Sequence, residues 1–225
     1  MLDTGLRLRT GMIKRRNNNP EDPAQKKIPS TETLPRLARI SKDCKACDLW
    51  KRSTQVVFGE GPPDAKVMLI GEVPGDQEDR AGKPFVGPAG GLLNEALAEA
   101  GIERSKVYVT NAVKHFNWEA RGKRRIHKKP SASEIAACRP WLEAEIARLH
   151  PQVIVCLGAT AAQALLGRDF RVTQHRGEFI GSPLAPYVTA TVHPSSILRA
   201  PDEETRHAEM ERFVADLKKI ARKIS

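Results

Sequence analysis

Apolar positions along the chain follow two periods. Residues 66–71 (KVMLIG) form an unbroken apolar run that stops at a glycine, the mark of a strand buried on both faces. Residues 107–113, 152–157 (QVIVCL) and 187–192 repeat that pattern and are expected to be strands. Between them the spacing lengthens to a helical one. Leucines at 92, 93 and 97 predict a helix over residues 91–100 with a stop at Gly101. Ser131 and Glu134 stand at capping-box spacing ahead of a helix that runs through Trp141 and Ile146 to Leu149. Residues 159–166 and the polar stretch 203–223 are read as helices, and a short helical stretch from Thr33 leads into Cys44. Strands alternating with helices predict a three-layer α/β/α fold around a mostly parallel sheet. Ligands of such sheets lie beyond the carboxyl ends of the strands. Chemistry is therefore sought in three segments, Gly71-Glu72-Val73-Pro74-Gly75, Asn111-Ala112-Val113-Lys114 and His193-Pro194-Ser195-Ser196.

Residues 1–32 break the pattern. They are polar, carry three consecutive asparagines and show no apolar periodicity, so a disordered basic tail is expected there, with residues 33–225 forming one domain. No run of 18 apolar residues occurs, which excludes a membrane-spanning helix, and no secretory leader is recognisable. A cytoplasmic monomer is the expectation.

Charge narrows the partners. Lys and Arg total 37 against 27 Asp and Glu, a net charge of +10. Such an excess favours polyanions, nucleic acid first and an anionic membrane surface second. Residues 121–129 (RGKRRIHKK) concentrate six basic side chains in nine positions with no acid among them. The four cysteines, Cys44, Cys47, Cys138 and Cys156, point in a reducing compartment to metal binding or single buried thiols, not disulfides. Four thiolates suit zinc or a [4Fe–4S] cluster.

Taken together and in this order, Gly71-Glu72-Val73-Pro74-Gly75-Asp76-Gln77-Glu78-Asp79 and His193-Pro194-Ser195-Ser196 resemble the two signature motifs of the uracil-DNA glycosylase superfamily. Residues 82–90 (GKPFVGPAG) and Thr110-Asn111-Ala112-Val113-Lys114 resemble its family 4 branch, as does the spacing of the cysteines. Gly122-Lys123-Arg124-Arg125-Ile126-His127-Lys128 further resembles the insert of the UdgX-type subgroup, whose histidine bonds covalently to the abasic sugar.

The resemblance implies uracil-containing DNA, single-stranded by preference, as substrate and a [4Fe–4S] cluster on Cys44, Cys47, Cys138 and Cys156. It implies catalytic roles for His127 as nucleophile, His193 as donor to the uracil O2, and Glu72. Asn111 would read the base edge and Phe85 would stack on the ring, with Gly71, Val73, Asp76, Glu78 and Ser195 bordering the base. Lys123, Arg124, Arg125 and Lys128 would contact DNA. Val73 is a departure, because the subgroup has glutamine at that position and valine offers no side-chain hydrogen bond. Turnover by water, or binding of uracil or abasic DNA without excision, are the alternative readings.

Overall fold

The computed structural model describes residue 28 and residues 32–224. The expected tail over residues 1–32 lies almost wholly outside the described residues. The elements run α1 (Leu34–Ser41), β1 (Val67–Gly71), α2 (Asp76–Ala81), α3 (Pro88–Glu99), β2 (Val107–Asn111), β3 (Trp118–Arg121), β4 (Arg124–His127), α4 (Ala132–Leu149), β5 (Val153–Leu157), α5 (Ala159–Leu166), α6 (Val172–His175), β6 (Phe179–Ile180), β7 (Tyr187–Thr191), α7 (Pro194–Leu198) and α8 (Glu203–Ile224).

Five strands form one sheet in the order β2-β1-β5-β7-β6, all parallel except the edge strand β6. This is the expected three-layer α/β architecture. Strand alternation divides the core. Val67, Leu69, Val107, Val109, Val153 and Val155 pack with α3 and α8 on one face. Met68, Ile70, Tyr108, Ile154, Cys156 and Val188 pack with α4 and α5 on the other. Each central strand is buried at every position, which is why its sequence is a continuous apolar run. A third cluster, with Leu37, Leu49, Phe58, Val73, Val113, Cys138 and Trp141, joins α1 and α4 to the loops beside the sheet.

Local signals placed most boundaries. The Ser131 hydroxyl accepts from the Glu134 N–H while the Glu134 carboxylate accepts from the Ser131 N–H, so α4 starts where its capping box lies. Helix α3 begins three residues earlier than expected, at Pro88, whose missing N–H costs nothing in a first turn. Strand β2 ends two residues early. Ala112 and Val113 leave the sheet, their N–H groups donating to the carbonyls of Gly71 and Glu72 (2.9 and 3.0 Å) and so tying the ends of β1 and β2 together.

Candidate active site

A cavity of about 490 Å³ opens beyond the carboxyl ends of β1, β2, β5 and β7. Its walls include Glu72 and Val73 after β1, Asn111 at the end of β2, Gly158 and Thr160 after β5, and His193 and Ser195 after β7. Glu78 of α2, Phe85 and His127 of β4 complete it. The site thus lies where strand order brings four chain segments together.

His193 is the N-cap of α7. Its Nδ1 accepts from the Ser195 N–H (3.1 Å) and lies 2.8 Å from the Ser195 hydroxyl. With Nδ1 accepting, the proton of the neutral ring sits on Nε2, which is left as a donor. Burial, reinforced by Arg199 and His127, pushes this imidazole down to about 4, so the neutral form prevails near neutrality. Phe85 stacks near it at 6.2 Å between ring centres and 28° between planes. Phe85 has φ +56°, an unusual conformation for a bulky side chain. Glu78 helps fix this segment, since its half-capping carboxylate accepts from the Gly75 N–H (3.0 Å) and from the Phe85 N–H.

Asn111 is 2% exposed and its Nδ2 has no hydrogen-bond partner. A buried amide donor without a partner costs stability unless a ligand satisfies it. Gly71 does not line the cavity but makes room for it, because a Cβ there would come within 2.3 Å of Asn111 Oδ1 and 2.8 Å of the Phe85 ring.

His127 ends β4, and its Nε2 lies 3.8 Å from Glu72 Oε1. The other carboxylate oxygen of Glu72 accepts from the Thr160 hydroxyl at 2.5 Å. Burial holds the His127 imidazole below its ordinary value, Glu72 opposing and Arg199 assisting that shift. A neutral ring with a free lone pair is a competent nucleophile.

The basic stretch is a hairpin of β3 and β4. Gly122 (φ +60°) and Lys123 form its two-residue turn, the glycine-first sequence that such turns favour. Strand alternation then sorts the side chains. Arg125 and His127 share one face, with Arg125 half-buried and His127 about half exposed at the cavity mouth, while Arg124 and Ile126 point the other way and Lys123 and Lys128 are exposed at the ends of β4. The Arg125 guanidinium pairs with Asp76 and with Asp79 (2.6 Å) and lies over the Phe116 and Trp118 rings. Two expected contacts are thereby accounted for within the fold. Arg125 is bound by carboxylates and is not available to phosphate as Lys123, Arg124 and Lys128 are. Asp76 stands outside the cavity, holding Arg125 and Arg80.

The cysteines divide three to one. Cys138 in α4 accepts from the Lys114 N–H (3.1 Å), and Cys44 accepts from Trp141 Nε1 (3.2 Å). Burial raises the Cys138 thiol to about 12, and neighbouring Cys44 and Cys47 add to that rise. Cys156 is elsewhere, in β5 between Ile70 of β1 and Ala190 of β7, raised to about 12 by burial alone. The expected set of four therefore does not come together, because the strand register commits Cys156 to the apolar core. Among the described residues, no three His, Cys, Asp or Glu side chains already converge as metal ligands.

Three residues near the site escaped the sequence analysis. Arg199 and Thr160 line the cavity. His115, one residue past Lys114, is 5% exposed, and burial lowers it to about 4. Position after a strand could have flagged Thr160, at the start of α5; nothing local marked Arg199.

Comparison with known proteins agrees with this geometry. Residues 58–218 match the model of the uracil DNA glycosylase superfamily. The type-4 uracil-DNA glycosylase of Thermotoga maritima is 41% identical over 171 residues, covering 76% of this chain and 85% of that protein. The type-4 enzyme of Archaeoglobus fulgidus is 34% identical over 198 residues, 84% and 92% of the two chains. A type-5 uracil-DNA glycosylase of Thermus thermophilus is 36% identical over 158 residues, 62% of this chain and 68% of that protein. With its cavity at the strand ends and a match that spans most of its length, the chain belongs to the uracil-DNA glycosylase superfamily.

Proposed function

We propose that the protein excises uracil from DNA and captures the resulting sugar through His127. The observation that carries this reading is the convergence, on one cavity, of an unpartnered amide (Asn111), a neutral imidazole donor (His193) and a neutral imidazole nucleophile (His127) beside a carboxylate (Glu72).

Glycosidic cleavage moves the C1′–N1 bonding pair onto uracil, which leaves as an anion, while C1′ becomes oxocarbenium-like. The Nε2–H of His193 is the donor for the charge growing on the uracil O2. A fixed donor of this kind contributes roughly 3–4 kcal/mol to the transition state. Asn111 reads the base edge and Phe85 covers its face. The Glu72 carboxylate, oriented by Thr160, favours positive charge near C1′. A lone pair on the His127 ring then forms the bond to C1′, and the proton on its other nitrogen is released to solvent. Val73 is 6% exposed and packs with Val113 and Leu37, so its contribution to the wall is apolar.

The substrate is uracil-containing DNA, preferentially single-stranded, because an unstacked base is cheaper to extrude. Lys123, Arg124 and Lys128 hold its phosphates. The protein acts as a monomer in this reading, with Val86, Ile126 and Leu198 as the exposed large apolar side chains among the described residues. Among them no helix is long and apolar enough to cross a membrane, and we place the protein in the cytoplasm.

The resident cofactor is a [4Fe–4S] cluster that ties α1 and α4 to the segment after β2. Three residues fit it, Cys44, Cys47 and Cys138, two of them with N–H···S bonds of the sort that stabilise bound thiolates. Cys156 does not. His115, buried, neutral and adjacent to the residue that bonds Cys138, is the remaining candidate for the fourth position.

The test is a denaturing gel of the protein with a labelled uracil oligonucleotide. A slow band that survives heat and detergent, absent in His127→Ala, is the expected result. Free abasic product released over many cycles would replace capture with turnover by water. No product of either kind would reduce the protein to a binder of uracil or abasic DNA.

A further inference from the structure

Lys114 and Glu145 form an ion pair that the excision chemistry does not use. Their side chains are 2% and 0% exposed, and Nζ lies 2.5 Å from Oε2. A buried ion pair is a weak source of stability, since an apolar pair of the same volume serves as well or better. The other bonds of the ammonium show what the pair does instead. Nζ donates to the Thr110 hydroxyl (2.6 Å) and to the backbone carbonyl of Asn111 (2.7 Å), so all three of its protons are engaged. Glu145 accepts from the Thr110 hydroxyl, the Tyr108 hydroxyl and the Gly59 N–H, each at 3.0 Å. Lys114 is anchored a second time through its own N–H on Cys138. A carboxylate of α4 therefore holds an ammonium in place, and the ammonium holds the peptide of the residue whose side-chain amide lines the cavity.

We propose that the buried Glu145–Lys114 pair is a positioning device for base recognition, fixing the Asn111 peptide so that its amide meets the uracil edge. An apolar pair could fill the space but could not bond the Asn111 carbonyl. A solvent-exposed lysine could bond it but would retain its rotamer freedom. The inference rests on the reading of the cavity as a uracil site, and it concerns specificity, not the nucleophile.

The test uses two variants of the full chain. Lys114→Met combined with Glu145→Gln removes both charges at nearly constant volume. Thr110→Val removes the hydroxyl between them and keeps a β-branched residue in the strand. Two quantities are measured, the protein concentration giving half-maximal single-turnover excision from a single-stranded uracil oligonucleotide, and the affinity for the same oligonucleotide carrying a tetrahydrofuran abasic analogue. The expected result is about a tenfold rise in the first, as a lost polar contact to the base implies, with the second unchanged. A folded variant with the wild-type value for uracil overturns the inference, as does an equal loss on the abasic analogue, which would make the pair a general support. If the double variant does not fold, Thr110→Val decides. Failure of the wild-type chain to release uracil would overturn the uracil-site reading and this inference with it; normal wild-type excision with insensitive variants overturns this inference alone.

Discussion

Single residues carry the chemistry through their neighbours. Thr160 donates a 2.5 Å hydrogen bond to the Glu72 oxygen that faces away from His127. Thr160→Val should preserve the fold and slow sugar capture about tenfold, the scale of one charge-assisted hydrogen bond, with Thr160→Ser restoring the rate. Single-turnover kinetics on one uracil oligonucleotide would check it. If the proposed capture takes place, its acid limb should depend on His127. Protonation removes its lone pair, and its pKa lies below the ordinary 6.5, so the rate should hold as pH falls past 6.5 and decline only lower. A decline centred above 6.5 would contradict that. If the proposed cluster is bound, Cys156→Ala should retain its visible charge-transfer absorbance in the purified protein, whereas Cys138→Ala and His115→Ala should lose it.

At the scale of elements, the hairpin of β3 and β4 is what brings His127 to the cavity, and Arg125 is what docks the hairpin. Its guanidinium spans Asp76 and the fully buried Asp79 of α2. Arg125→Ala leaves Asp79 without its cation and should cost about 3 kcal/mol, as broken buried pairs do, while slowing capture by His127. Arg125→Lys should rescue little, because a point charge cannot serve two carboxylates as a fork does. Denaturant titration beside the capture assay measures both. The outward face of the same hairpin behaves differently. Replacing Lys123, Arg124 or Lys128 by alanine should leave stability unchanged and lower the slope of log affinity against log salt by about 0.7 per phosphate contact on single-stranded DNA. Much of this was legible. The Gly-x turn flanked by four-residue arms was present in the sequence at Gly122, and the alternation of its arms already separated Arg125 from Arg124. What obscured it was composition, since six cations in nine residues carry no apolar alternation to mark a strand.

For the whole molecule, burying a neutral His193 makes stability depend on pH. Its folded-state value, about 4, is below the unfolded 6.5, so the unfolded chain binds the extra proton between those limits. Stability is therefore retained above pH 6.5 and lost as pH falls toward 4. From that one group, the loss between pH 7 and pH 5 is about 2 kcal/mol. A His193→Gln variant should show a pH slope shallower by that amount in chemical denaturation, and an unchanged slope would place the shift elsewhere.

Local patterns in the chain determined the sheet strands β1, β2, β5 and β7, the capped start of α4, and the segments after the strands in which Glu72, Asn111 and His193 reside. These depend on the geometry of residues close in sequence, two apart in a strand or three and four apart in a helix. Tertiary structure alone decided that Cys156 is a core residue while Cys44, Cys47 and Cys138 are neighbours. It also decided that Arg125 faces carboxylates, and that Glu145, in the middle of α4, reaches Lys114 and through it Asn111. Each of these is a choice of partner made across the fold by strand order and helix packing, which no local period records.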